Sequence, residues 1–174
     1  RHRIGGGPVA NLKLGAMAKA YRNTGTYGTP VWNEMTEVTE LSLNLSWDTQ
    51  DVPRRGQRVK QKKKTLMDLS VPFKHLVIDK PASSDTSDYT AVWDALFADT
   101  VLDVLILNGD IATNGVRGVR FDAEVGGGNE SQNPGDVLQD ELEFVPVPSA
   151  NDPKAVLIAS GAPTFKPLTG NLRS

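Results

Sequence analysis

The chain has 174 residues and 18.8 kDa, enough for one domain with a genuine core. Its 39% hydrophobic and 23% charged residues fall in the ordinary globular range, and a formal charge of -2 predicts neither a nucleic-acid nor a membrane partner. The absence of cysteine removes disulfides, thiol nucleophiles and thiolate metal sites together. The 16 glycines and 11 prolines favour turns over long helices, so the expected class is mainly β.

Arg1-His2-Arg3 imitates a basic leader, but glycines, Pro8, Asn11 and Lys13 follow instead of an apolar stretch. The longest apolar run, residues 101–107, is far too short for a bilayer, so a soluble chain is expected. Residues 1–11 read as a flexible arm, 12–160 as one domain, and 161–174 as a C-terminal tail. Over 13–21, Leu14, Ala16, Ala18 and Ala20 occupy alternate positions, which suggests a strand. The run from Asn23 to Pro30 is a turn by composition, and 31–38 a weaker strand.

Two stronger strands follow. Over 40–48, Leu41, Leu43, Leu45 and Trp47 alternate with Ser42, Asn44, Ser46 and Asp48. Over 65–75, Met67, Leu69, Val71 and Phe73 alternate chiefly with Asp68, Ser70, Pro72 and Lys74. Each pattern fits an antiparallel strand with one face in the core. Between them, 49–64 reads as a long loop, and Arg54, Arg55, Arg58, Lys60, Lys62, Lys63 and Lys64 put seven cations into the eleven residues 54–64 without an acid among them. Twelve basic residues then face 21 acids in the rest of the chain. Three roles compete for such a block: gripping phosphate, simple solvation, or docking on the acidic surface of another copy.

One helix is expected, over about 88–99. Ser87 can cap it, Asp88 suits its positive start, and Tyr89, Val92, Trp93, Leu96 and Phe97 form the stripe assigned to the core. Residues 102–107 read as a strand buried on both faces. A hairpin of 116–125 and 137–147 follows, joined through Gly126-Gly127-Gly128, which reads as a flexible joint. A last strand covers 155–159.

Candidate chemistry is thin. His2 and His75 share no metal-like spacing, no nucleophile elbow, P-loop or dinucleotide fingerprint is present, and the Gly triplets lack a strand-to-helix setting. Pairs such as Asp48 with Asp51 and Asp122 with Glu124 read as solvated acids. No catalytic residue, metal ligand or cofactor is assigned. On the later hairpin, Arg120, Asp122 and Glu124 share one face while Gln139, Glu141 and Glu143 share another, and this acidic surface is expected to look into water.

The order of features resembles the major tail tube proteins of long-tailed bacteriophages, whose relatives include the inner tubes of contractile tails and secretion systems. The resemblance is carried over residues 12–159 by Leu14-Gly15, by Tyr27-Gly28-Thr29-Pro30-Val31-Trp32, and by the run from Glu37 to Leu43. An Arg-bearing loop, a helix holding Tyr89 and Trp93, and a final hairpin complete it. It implies an antiparallel β-sandwich or barrel with one flanking helix, self-assembly into hexameric rings, and stacking of rings into a DNA-conducting virion tail tube assembled in the host cytoplasm.

Under that resemblance, Ser42, Asn44, Ser46, Asp68, Ser70, Asp122, Glu124, Glu141 and Glu143 line the channel. The seven cations of 49–64 reach the next ring. Partners are further copies and other tail proteins; DNA passes without specific binding, and no membrane is entered. Arg120 departs from the scheme and is expected to pair with a neighbouring acid. Two alternatives remain open: a nucleic-acid-binding β-barrel gripping with 54–64, and another virion part such as a head–tail completion or decoration protein.

Overall fold

The computed structural model describes residues 18–52, 61–77, 87–131 and 138–168. Among them are ten strands and one helix: β1 Lys19–Asn23, β2 Trp32–Glu34, β3 Val38–Thr39, β4 Asn44–Val52, β5 Gln61–Leu76, α1 Ser87–Ala98, β6 Leu102–Leu107, β7 Arg117–Ser131, β8 Gln139–Pro146, β9 Lys154–Ala159 and β10 Ala162–Pro167. The protein is mainly β with one flanking helix, as its composition and alternation require.

Every strand pair is antiparallel. The main path runs β2-β1-β6-β7-β8-β5-β3, with β4 beside β5 and the β9–β10 hairpin beside β7. Its two ends, β2 and β3, are separated by only residues 35–37. Met35 N–H donates to the Ala20 carbonyl and Leu76 N–H to that of Glu37, so this short turn is tied to both ends of the path. A sheet whose first and last strands meet across three residues has to curl; it forms a half-barrel.

The concave side holds the main core, where Leu69, Val71, Phe73, Val104, Ile106, Val119, Phe121, Leu142 and Phe144 meet Val92 and Ala95 of α1. Phe73 and Phe144 stack with centroids 4.3 Å apart. The helix start is fixed by Asp88, which accepts from Arg22 Nε at 2.9 Å and from Asn33 Nδ2 at 2.8 Å. A smaller cluster of Tyr21, Leu105, Leu107, Val116, Val156 and Ile158 uses the opposite side chains of β1 and β6. This explains why 102–107 is apolar on both faces.

Several expectations are corrected. Residues 49–52 and 61–64 belong to β4 and β5, so the expected loop 49–64 narrows to the connection 53–60. Residues 162–167, assigned to a tail, form β10 and pair with β9. Gly126, Gly127 and Gly128 are no joint but part of β7: the register shifts between Gly127 and Asn129, and Gly127 and Gly128 have φ of 91° and 132°. Glycine is needed there because a bulge turns the strand without breaking it. Finally, Phe97 leaves the helix core. It is 73% exposed and stacks on Trp93, while the small Ala95 takes the inward position.

Candidate polar wall and its buried margin

The predicted surface residues are distributed over two hairpins, and β5 joins them. The β4–β5 register sets Asn44 opposite Ser70 and Ser46 opposite Asp68. The β5–β8 register sets Pro72 opposite Glu143 and Lys74 opposite Glu141, and the β7–β8 register sets Glu124 opposite Val145. Opposed residues share a sheet face. Asn44, Ser46, Asp68, Ser70, Glu124, Glu141 and Glu143 therefore line one convex surface on the four-stranded wall β4-β5-β8-β7. Ser42 lies just before β4 but still bonds β5, its N–H donating to the Pro72 carbonyl at 3.0 Å.

This wall is acidic and largely exposed. Asn44, Ser46, Asp68, Glu124 and Glu141 are exposed, and Ser70 and Glu143 half-buried. Lys74 tempers the charge through Glu40 at 2.8 Å and Glu141 at 4.0 Å. Its ammonium is held above the usual lysine range, chiefly by the hydrogen bond to Glu40.

Strand parity continues from Glu124 to Asp122 and Arg120, but solvent does not. Asp122 is only 8% exposed and accepts from Asn151 Nδ2 at 3.0 Å, which corrects the expectation that it faces water. Arg120 is 3% exposed. Its guanidinium donates through Nε to Asp103 at 3.0 Å and through Nη2 at 2.6 Å, and the same Nη2 reaches the Tyr27 carbonyl at 2.9 Å. Its carbon centre lies 3.7, 5.0 and 4.9 Å from the ring centroids of Tyr27, Trp32 and Phe165. Segments 24–32 and 147–153 thus roof over the same face that stays open along the hairpins.

The expected acid partner of Arg120 is Asp103, whose second neighbour is Asn23 Nδ2 at 2.8 Å. Sequence reading missed the aromatic cage. Its signals were a lone acid interrupting the apolar run 102–107 and an arginine sharing one face of β7 with Asp122 and Glu124; both indicate a buried charge seeking a partner. The cage also gives the Tyr27-to-Trp32 run a physical role, because its two rings cover the buried ion pair.

Among the basic residues of 54–64, Lys62, Lys63 and Lys64 lie on β5, with Cα positions opposite Asp51, Gln50 and Thr49. Arg54, Arg55, Arg58 and Lys60 lie outside the described residues. On the helix, Val92 is buried and Tyr89, Trp93 and Leu96 half-buried. His75 is buried on the concave side at the β5 position opposite Asp140, with its ring 5.4 Å from that of Tyr89. Among the described residues no group of His, Asp and Glu could hold a metal ion, and no helix is long and apolar enough to cross a membrane.

The wall also has open edges. β5 from 61 to 70 pairs only with β4, and β7 from 124 to 131 only with β8, among the described strands. Both hairpins project beyond the closed part of the sheet.

No known family pattern and no curated protein matches the sequence. The fold, by contrast, is found in solved assemblies. A chain from the six-fold symmetric tail of an empty gene transfer agent particle superposes with a TM-score of 0.57 at 12% identity, covering 86% of this chain and 100% of its own. A chain of the anti-feeding prophage baseplate gives 0.57 at 11%, covering 86% and 99%. A chain of the SPP1 tail tube gives 0.55 at 9%, covering 76% and 75%. At these identities the likeness is one of fold.

Proposed function

We propose that this chain is a structural subunit of a phage-type tail tube, built into a virion tail from copies of itself. Copies close into rings, with six per ring as the working number, and the rings stack into a hollow tube that conducts DNA. The subunit acts by assembling and carries out no reaction.

One observation carries this reading: two projecting hairpins fuse into a single wall whose exposed side is small, polar and acidic and whose outer edges lack partners among the described strands. Unpaired edges favour strand addition from an identical neighbour, and ring closure removes the liability. A bore faced with Ser, Asn, Asp and Glu repels phosphate and lets DNA slide, whereas cations would hold it by releasing counterions. The shared fold with chains of tails and of a tail tube supports the same reading.

The basic residues Arg54, Arg55, Arg58, Lys60, Lys62, Lys63 and Lys64 contact the acidic surface of the next ring. Replacing Arg54, Arg55, Lys62, Lys63 and Lys64 by Ser is expected to leave the subunit folded and shorten its tubes; normal tubes would remove that role. Negative-stain microscopy of the purified protein tests the whole reading. Rings or tubes are expected with rising concentration. A monomer at every concentration, joined to DNA affinity falling steeply with salt, would favour a nucleic-acid-binding barrel instead.

A further inference from the structure

Two exposed apolar features mark the two ends of β6. Just before its start, Phe97 on the last turn of α1 is 73% exposed and Val101 47%, and the Phe97 ring stacks on Trp93 with centroids 5.0 Å apart. At its far end, Ile106 and Leu107 line an apolar groove of about 390 Å³, which Leu43 and Leu45 also line. Those two leucines are 39% and 47% exposed, although Leu45 stands opposite the buried Leu69. We propose that this groove receives Phe97 of a second copy of the chain, joining copies head to tail.

Three observations select this occupant. The first is size and polarity: a concave apolar site of this volume takes a small ring system. The second is charge. Phe97 is flanked by the exposed Asp94, one helical turn earlier, and the exposed Asp99, and the last turn of α1 holds no basic residue. The groove carries the opposite sign: the exposed Arg117 lines it, and the exposed Lys166 of β10 stands opposite Ala155, another lining residue. None of these four charges forms an ion pair among the described residues. An aromatic knob between acids thus matches an apolar groove rimmed by cations. The third is placement. Phe97 does not line its own chain's groove, and the six residues of β6, about 20 Å of strand, lie between the two features. Two different patches on each copy make a heterologous contact, which repeats into a ring or a filament. Leu43 and Leu45 also alternate with Asn44 and Ser46, so the contact leaves the acidic wall uncovered. The proposal rests on the self-assembly part of the tube reading, and not on hollow tubes or DNA.

The lack of cysteine lets single thiols report the contact. Phe97→Cys and Leu45→Cys chains with different tags are mixed and oxidised. Val145→Cys replaces Leu45→Cys in the control, since Val145 is 40% exposed and lies on the acidic wall opposite Glu124. The bridge from 97 to 45 is expected to form about tenfold faster than that from 97 to 145. Equal rates overturn the proposal, whether or not the unaltered chain builds tubes. A fast bridge from 97 to 45 in a chain that never builds tubes keeps the contact and removes the tube reading. Asp94→Lys/Asp99→Lys in the Phe97→Cys chain is expected to slow the bridge, and Arg117→Glu/Lys166→Glu in the Leu45→Cys chain to restore it; no recovery counts against the pairing of the two surfaces. In dilute monomer, the thiol of Leu45→Cys is expected to react with a maleimide as fast as that of Val145→Cys. Strong protection there assigns the groove to the chain's own residues and overturns the docking.

Discussion

Arg120 holds a buried guanidinium between one carboxylate and a set of aromatic rings. Its charge is 3% exposed, is neutralised by Asp103, and sits against three aromatic rings. Arg120→Ala leaves the half-buried Asp103 with Asn23 but without its cation and should destabilise the fold by about 3 kcal/mol, read by urea denaturation. Arg120→Lys should also lose stability, because an ammonium cannot present the planar fork to Asp103 while covering Tyr27. At the surface, Lys19 bonds Asp110 at 2.8 Å and Glu34 at 3.0 Å. The Lys19 hydrogen bond, aided by Ala112 N–H, holds the Asp110 carboxyl below its ordinary value. A depressed folded-state value means a stabilising contribution that is present above the unfolded value and lost as pH falls through the folded one. Lys19→Met should therefore flatten the acid limb of thermal stability below pH about 4, with little change in that limb's shape above it.

At the scale of elements, β7 organises the molecule because three neighbours share it. β6 takes one edge, while β9 and β8 divide the other between its first and second halves. Gly118 makes the crowded half possible: a Cβ there would collide with the Ile106 carbonyl oxygen on β6. Backbone cannot move aside as a side chain can, so Gly118→Ala is expected to abolish cooperative thermal unfolding or lower Tm by more than about 10 °C. The strands were legible from alternation wherever one face meets the core, as in 65–75. The outer ends of β4 and β5 were not, since a cation-rich stretch gives no period and its pairing is backbone bonding across the hairpin. The β10 strand was hidden similarly: Ala162–Pro167 gains its order only by pairing with β9.

At the scale of the molecule, the same sheet face changes character along its length. It is open and acidic over the two hairpins, and roofed over β6 and the start of β7. Under the tube reading, replacing Glu124, Glu141 and Glu143 by Lys should leave the fold intact, because Glu124 and Glu141 are exposed and Glu143 half-buried. The assembled particles should then retain DNA, with an affinity that falls as salt rises. Tubes that still pass DNA freely would separate this face from the bore.

The sequence by itself determined which side chains share a strand face, that one helix lies among strands, that cysteine chemistry is absent, and that Arg120 needs an acid. Those features are local: side-chain period, capping and charge are written in neighbouring residues. Only the tertiary structure decided which parts of a face meet water. Asp122 and Glu124 are two residues apart on one strand and on one side of it, yet Asn151 covers the first and nothing described covers the second. Burial is conferred by whichever distant segment folds across a residue, and alternation along a single strand carries no record of that segment.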